Sequence, residues 1–222
     1  MSGALKEVRN RIKSVQSTQQ ITKAMKMVSA AKLRRAQDAI IQMRPYAQKL
    51  QEMLSNIVGN ADGDINLALA KQRPVEKVLI IVITSDRGLC GGYNSNLIKL
   101  VKNDIHEKYT AQLAKGNVEI LPLGKKGYEH FSKNNFKVVD RYWNIFSDLN
   151  FENVAAAAKF AMDAFAKGDI DAVDLVYSEF KNAGTQKFIA EQFLPVKKSE
   201  NKKGATKADF IFEPGKDILL QE

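Results

Sequence analysis

LKEVRNRIKSVQ at residues 5–16 and AQDAIIQMRPYAQKLQEMLSNI at residues 36–57 decide how this chain is built. In the first stretch Leu5, Val8, Ile12 and Val15 step by three and four. In the second, Ala36, Ile40, Met43, Ala47, Leu50, Leu54 and Ile57 do the same, and counting in sevens from Val8 to Ala36 joins the two in one register. A sustained heptad predicts a single helix with a coiled-coil seam, here Leu5, Val8, Ile12, Val15, Ile40, Met43, Leu50, Leu54 and Ile57. Residues 1–58 hold one proline, Pro45, and one glycine, Gly3. Little therefore interrupts a rod of about 85 Å at 1.5 Å per residue. An internal proline removes a ladder bond and crowds the preceding turn. The surviving register predicts a kink near Met43 and Arg44, with two shorter helices as the alternative.

Between the two stretches the seam positions turn polar, at Gln19, Thr22, Lys26 and Ser29, while apolar residues move one position earlier, to Ile21, Met25 and Val28. One position is roughly 100° of helix, so the apolar face turns aside there. This fits either a local core contact on another side or a face shown to a second partner. Charge is as uneven as hydropathy. Residues 1–60 contain 11 Lys and Arg against 3 acids, Glu7, Asp38 and Glu52, a net of +8 out of the chain's +9. No acid lies between Val8 and Gln37, whereas Arg9, Arg11, Lys13, Lys23, Lys26, Lys32, Arg34 and Arg35 do. Charge runs commonly make a solvated face, yet a rod this one-sided points to an acidic partner.

The 222 residues are 45% hydrophobic, enough for one rod and one domain with a core of its own. No run of 18 apolar residues marks a membrane span, and the N-terminus lacks the apolar segment of a secretory signal. Cys90 has no second cysteine to pair with, and His106 and His130 are too scattered for a metal site. A soluble protein of a reducing compartment is expected.

After the rod, residues 59–76 read as a helix stop and linker with a short turn near 67–70. KVLIIVITS at 77–85 is a β-branched apolar run, the mark of a strand buried on both faces of a parallel sheet. SDRGLCGGYN at 85–94 turns the chain into a helix through Leu97, Ile98, Val101, Ile105, Tyr109 and Leu113. Strand, glycine turn and helix can offer backbone N–H groups to phosphate. However, Gly88, Gly91 and Gly92 make neither dinucleotide nor P-loop spacing, and a tight turn needing positive φ is the plainer reading.

Further strands are expected at 118–124 and 136–143, a helix through Tyr128 and Phe131, and an alanine-rich helix over 151–167. A hairpin follows, with strands at 171–180 and 186–196. The fold class is therefore α/β: a long N-terminal coiled-coil helix, then a Rossmann-like, open, mostly parallel sheet over 77–213. Residues 197–209 read as a polar loop, FIFEP as a short strand or extended entry, and 214–222 as the first turn of another helix. Ser85, Asp86 and the histidines form no recognisable triad, and Asp171 and Asp174 read as solvated positions beside a strand. No catalytic residue, cofactor site or metal site is predicted.

ITKAMKMVSAAKLRRAQ at 21–37, preceded by RIKSVQSTQQ at 11–20, resembles the signature of the gamma subunit of bacterial F-type rotary ATP synthases. TSDRGLCGGYN at 84–94 resembles that family's second hallmark, in the family's order and spacing, and the likeness extends through FEPGKDILL at 212–220. The resemblance implies a non-catalytic central-stalk rotor subunit of a proton-translocating complex, peripheral on the cytoplasmic face of the bacterial inner membrane. Its partners would be the alpha and beta subunits of the catalytic ring, the epsilon subunit and the membrane rotor ring. It further implies that Lys23, Lys26, Lys32, Arg34 and Arg35 face acidic loops of the beta subunits, that Met25 and Val28 belong to the same partner contact, and that Arg87 and Leu89 make a second one. In the family the rod pairs with a C-terminal helix, and this chain ends where that helix is expected to begin. Two other readings stand beside this one: a basic coiled coil that neutralises nucleic-acid phosphates, though without aromatics for stacking, and a small-molecule enzyme on the α/β domain.

Overall fold

The computed structural model describes residues 2–59, 68–182 and 184–196. The first unit is one helix, α1, Ser2–Gly59, 58 residues that run unbroken through Pro45. The two-helix alternative is thereby overturned. A proline forfeits one N–H to the ladder, and the turns on either side carry the helix across it. Thr18 Oγ1 donates to the Ser14 carbonyl at 2.9 Å and Thr22 Oγ1 to the Thr18 carbonyl at 2.7 Å. These hydroxyls turn back onto their own helix, at the stretch where the seam is polar. No helix among the described residues is long and apolar enough to cross a membrane.

The second unit is built on a five-stranded sheet in the order β3-β2-β1-β4-β5. β1, Val78–Ile83, lies parallel to β2, Val118–Leu123, and to β4, Ala172–Asn182; β2 is parallel to β3, Lys137–Val138. β5, Thr185–Leu194, returns antiparallel to β4. The apolar run of β1 is explained by cover on both sides. Val78, Ile80 and Val82 meet Leu97, Val101 and Ile105 of α2, Tyr93–Lys108, and Phe131 of α4, Lys125–Lys133. Leu79 and Ile81 meet Ala161 and Phe165 of α5, Phe151–Lys167, together with Val173 and Leu194. Ala157 and Ala161 are buried, so the alanine run brings α5 close to the sheet. Its ends are set locally. Asn150 Oδ1 accepts from Asn153 N at 2.8 Å, and Gly168, at φ 84°, closes the other end.

Three expectations change. The third strand shrinks to Lys137–Val138, because its aromatic residues are used singly: Tyr142 packs on Phe160, and Trp143 stacks on Tyr128 at 5.3 Å between ring centroids. The helix expected to reach Leu113 breaks at Tyr109 into α2 and α3, Thr110–Ala114, as the Tyr109 hydroxyl reaches inward to Asp174. Asp171 and Asp174 are not solvated. Asp174 is fully buried, and Asp171 is held by Arg73 and by the backbone N–H groups of Glu76 and Lys77 at 3.0 and 2.9 Å. The expectations for 60–67 and 197–222, including FIFEP and the helix start at 214–222, lie outside the described residues.

Within the stretch read as a linker, residues 68–76 pack on the α/β domain. The turn Ala68–Ala70 receives the N–H of Val196 on the Leu69 carbonyl at 2.9 Å. Arg73 lies over the Phe165 ring at 4.4 Å and donates to the carbonyls of Phe165 and Ile170 at the end of α5. Its Nε is 3.0 Å from Asp171 Oδ1, an ion contact off the line of a hydrogen bond. Arg73→Ala is expected to cost about 2 kcal/mol, because it strips a partly buried carboxylate of its cation and two carbonyls of their donor. At 2–4 °C per kcal/mol this lowers the thermal midpoint by about 4–8 °C. Trp143, the sole tryptophan, reports that transition by fluorescence.

Candidate functional site

The described chain has two surfaces to consider, one on each unit. On α1 the side chains of Lys23, Met25, Lys26, Val28, Lys32, Arg34 and Arg35 are all exposed. Ile21, Met25, Val28 and Lys32 follow steps of four, three and four, so the apolar residues form one stripe that Lys32 continues. The seam residues Leu5, Val8, Ile12, Val15, Ile40, Met43 and Leu50 are exposed as well; the side chains of Leu54 and Ile57 lie outside the description. An apolar heptad row left open to water along most of a helix is a surface built to be covered.

On the α/β unit the turn after β1 is closed upon itself. Ser85 N donates to Asn94 Oδ1 at 3.0 Å and Asn94 Nδ2 donates to Ser85 Oγ at 2.8 Å, while Ser85 Oγ donates to the Arg87 carbonyl at 2.6 Å. Asp86 Oδ1 accepts from Lys125 N at 3.0 Å, tying the turn to the start of α4. Positive φ falls on Gly91 and also on Leu89, a residue with a Cβ, at 63°. The turn spends that strain on display: Leu89 is 101% exposed, with Arg87 exposed two residues before it. Cys90 is exposed, its sulfur 3.2 Å from Asn94 Nδ2. Burial, and then the nearby Cys90 thiol, pushes the Tyr93 phenol above its ordinary range.

Sequence reasoning placed Arg87 and Leu89 on this turn but missed what holds it. Asp86 as a cap and Asn94 as a lock carry no spacing signal, since their partners are 39 and 9 residues away. It also missed Phe146, Leu149, Phe151 and Val154, four exposed apolar side chains around the entry to α5. Two apolar residues flanking the Asn150 cap were the available signal.

A basic shaft with an open heptad row, followed in sequence by an α/β domain that displays a cation and an uncovered leucine, is the build of a subunit meant for a larger assembly. The family model described as ATP synthase matches residues 4–222. The ATP synthase gamma chain of Flavobacterium johnsoniae is 49% identical over 216 residues, covering 97% of this chain and 73% of that one. That of Chlorobaculum parvum is 44% identical over 218 residues, covering 98% and 75%. Among solved structures, the central stalk and c-ring of the Tetrahymena thermophila mitochondrial ATP synthase holds a chain of similar fold. The TM-score is 0.58 at 24% identity, over 90% of this chain and 84% of that one. The chain belongs to the ATP synthase gamma chain family.

Proposed function

We infer that this chain is the central-stalk rotor subunit of a proton-translocating F-type ATP synthase, coupling rotation of the membrane ring to ATP synthesis and hydrolysis on the alpha and beta ring. The observation that carries the reading is family membership across residues 4–222, with the charge concentrated on α1. The subunit is non-catalytic, and it reaches the cytoplasmic face of the bacterial inner membrane through its complex. The seam holds a second helix in an antiparallel coiled coil. Lys23, Met25, Lys26, Val28, Lys32, Arg34 and Arg35 face acidic ring loops, and Arg87 and Leu89 make a second ring contact. The α/β domain meets the epsilon subunit and the membrane ring.

The mechanism follows from asymmetry. A helix whose apolar residues Ile21, Met25 and Val28 are turned roughly 100° aside from its polar positions Thr22, Lys26 and Ser29 presents each ring subunit with a different surface as it turns. A ligand or partner shifts a conformational equilibrium only by its differential affinity for the two states. Successive stripes therefore bias successive catalytic sites toward open or closed forms, and ATPase activity responds to what the rotor shows. Cations in water attract at range but are screened beyond about 8 Å in physiological salt. The contact is then a bearing without one deep well.

Co-expression with cognate alpha and beta subunits tests this. A defined complex containing all three chains is expected, and Arg87→Glu with Leu89→Asp should cut its recovery about tenfold, the equivalent of about 1.4 kcal/mol. Alpha and beta assembling while this chain elutes alone, even at low salt, would sink the rotor reading. Nucleic-acid binding has no support: the stretch 8–37 holds no aromatic residue on which a base could stack.

A further inference from the structure

Two carboxylates face each other beneath the sheet, and one ammonium serves both. Asp104 is in α2 and Asp174 in β4, with side chains 5% and 1% exposed. Lys108 Nζ lies 2.6 Å from Asp104 Oδ1 and 3.2 Å from Asp174 Oδ2, and the Tyr109 hydroxyl donates to Asp174 Oδ2 at 2.9 Å. These donors leave Asp104 Oδ2 and Asp174 Oδ1 buried with no partner. Two ionised carboxylates against one lysine would also leave a net negative charge in an apolar site. A single proton, carried on one orphaned oxygen and donated to the other, corrects both faults.

We propose that Asp104 and Asp174 form a buried proton-binding pair, sharing one proton between Asp104 Oδ2 and Asp174 Oδ1 and thereby locking the C-terminal end of α2 to β4. Carboxyl groups that share a site cannot both ionise freely, and their titration belongs to the pair. The groups facing the pair bear this out. From α2 come Asp104 and Lys108, followed by Tyr109; from β1 come apolar residues, and from β5 the neutral Gln192, the register partner of Asp174. Burial raises the Asp174 carboxyl above the ordinary range, Tyr109 and Lys108 pull it down, and Asp104 raises it again. Burial works against the Lys108 charge, but Asp104 and Asp174 outweigh it and leave that ammonium firmly protonated.

The sign of the pH dependence follows. A carboxyl raised above its unfolded value of about 3.9 binds more proton in the folded state than in the unfolded one. Its stabilisation is complete at and below the unfolded value and is lost as pH rises through the folded value. Asp104 lies ten residues, about 15 Å, along α2 from Asn94, the lock of the displayed turn. Proton binding at one end of the helix thus bears on the anchoring of the element that carries the turn at its other end. The inference stands whether or not the rotor reading does.

The test is carboxyl NMR of the whole chain labelled at aspartate Cγ, between about pH 4 and pH 9. The expected result is an Asp174 resonance titrating above the ordinary aspartate range. Asp104→Asn should move the Asp174 midpoint down by at least about one unit, a tenfold loss of proton affinity. Asp174→Asn places an amide where Asp174 Oδ1 stands, able to donate to Asp104 Oδ2, so it removes the proton but keeps the bond. Its thermal midpoint should lack the decline with rising pH expected of the unmodified chain. An Asp174 resonance titrating in the ordinary aspartate range overturns the proposal. So does an Asp174 midpoint unmoved by Asp104→Asn. If that variant does not fold, the unmodified chain's Asp174 resonance decides alone.

Discussion

Gly124→Ala is expected to lower the thermal midpoint of the α/β domain by about 8–16 °C. Gly124 connects β2 to α4 with φ 120° and ψ 138°, a backbone region essentially open only to glycine. A Cβ at this position would run into the carbonyl and side chain of Thr84, which is 1% exposed at the end of β1. The first obstacle is backbone, so no rotamer relieves it. Separating the two strands there also strains a local network. Thr84 N donates to the Leu123 carbonyl at 2.8 Å, Gly124 N to the Trp143 carbonyl at 3.0 Å, and Gly127 N to Thr84 Oγ1 at 2.8 Å. The backbone term is about 1–3 kcal/mol, and overpacking adds about 1–3 kcal/mol. Together they come to roughly 4 kcal/mol, at 2–4 °C for each. Gly88→Ala is the control: nothing lies within 4 Å of its Cβ position, its cost should stay under about 0.5 kcal/mol, and its midpoint should move by under about 2 °C. If the Gly124 variant melts with the unmodified chain by Trp143 fluorescence, the close approach of β1 and β2 at this edge is wrong.

What could be read in advance depended on whether the cause of a feature lay near it in sequence. β1 was legible because burial on both faces leaves no polar position to interrupt VLIIVI. Helix α5 was legible at both ends because Asn150 and Gly168 are local signals. Tyr109 was not: its break answers to Asp174, 65 residues away, and no 3.6-residue period carries that information. Asp171 and Asp174 looked like solvated strand neighbours because Arg73, Lys108 and Tyr109, which hold them, are far along the chain. Residues 136–143 misled for another reason. Their apolar residues satisfy three separate neighbours, and a run of such residues has the same look as a strand. On α1 the basic band was legible by counting charge, since a helix maps sequence directly onto distance along its axis. The displayed Leu89 was visible as a residue in a glycine-rich turn, but its full exposure is a property of the Ser85–Asn94 lock.

Reversing Lys32, Arg34 and Arg35 together to glutamate is expected to uncouple ATP hydrolysis from proton pumping in a complex built on this chain. The three changes take residues 1–60 from a net of +8 to +2 and put three anions near the end of an acid-free stretch. The helix should survive them, since the three side chains are exposed and glutamate is as good a helix former as lysine or arginine. What changes is the surface shown to the ring. On the proposed contact, attraction to acidic loops becomes repulsion, and like-charge juxtaposition at an interface costs several kcal/mol. On the proposed reading, a rotor repelled by the acidic loops of the beta subunits leaves the ring's sites free to hydrolyse ATP without turning it in step. Acidification of inverted vesicles should therefore fall by about half or more while the ATPase rate is retained, and glutamine at the same three positions should give an intermediate loss. Raising the salt should bring the unmodified complex toward the glutamine variant, because screening beyond about 8 Å acts on the same contacts. Coupling that is equal in the unmodified and glutamate complexes at low salt would show that the band is a solvated face of the shaft, and that torque passes instead through the apolar stripe of Ile21, Met25 and Val28.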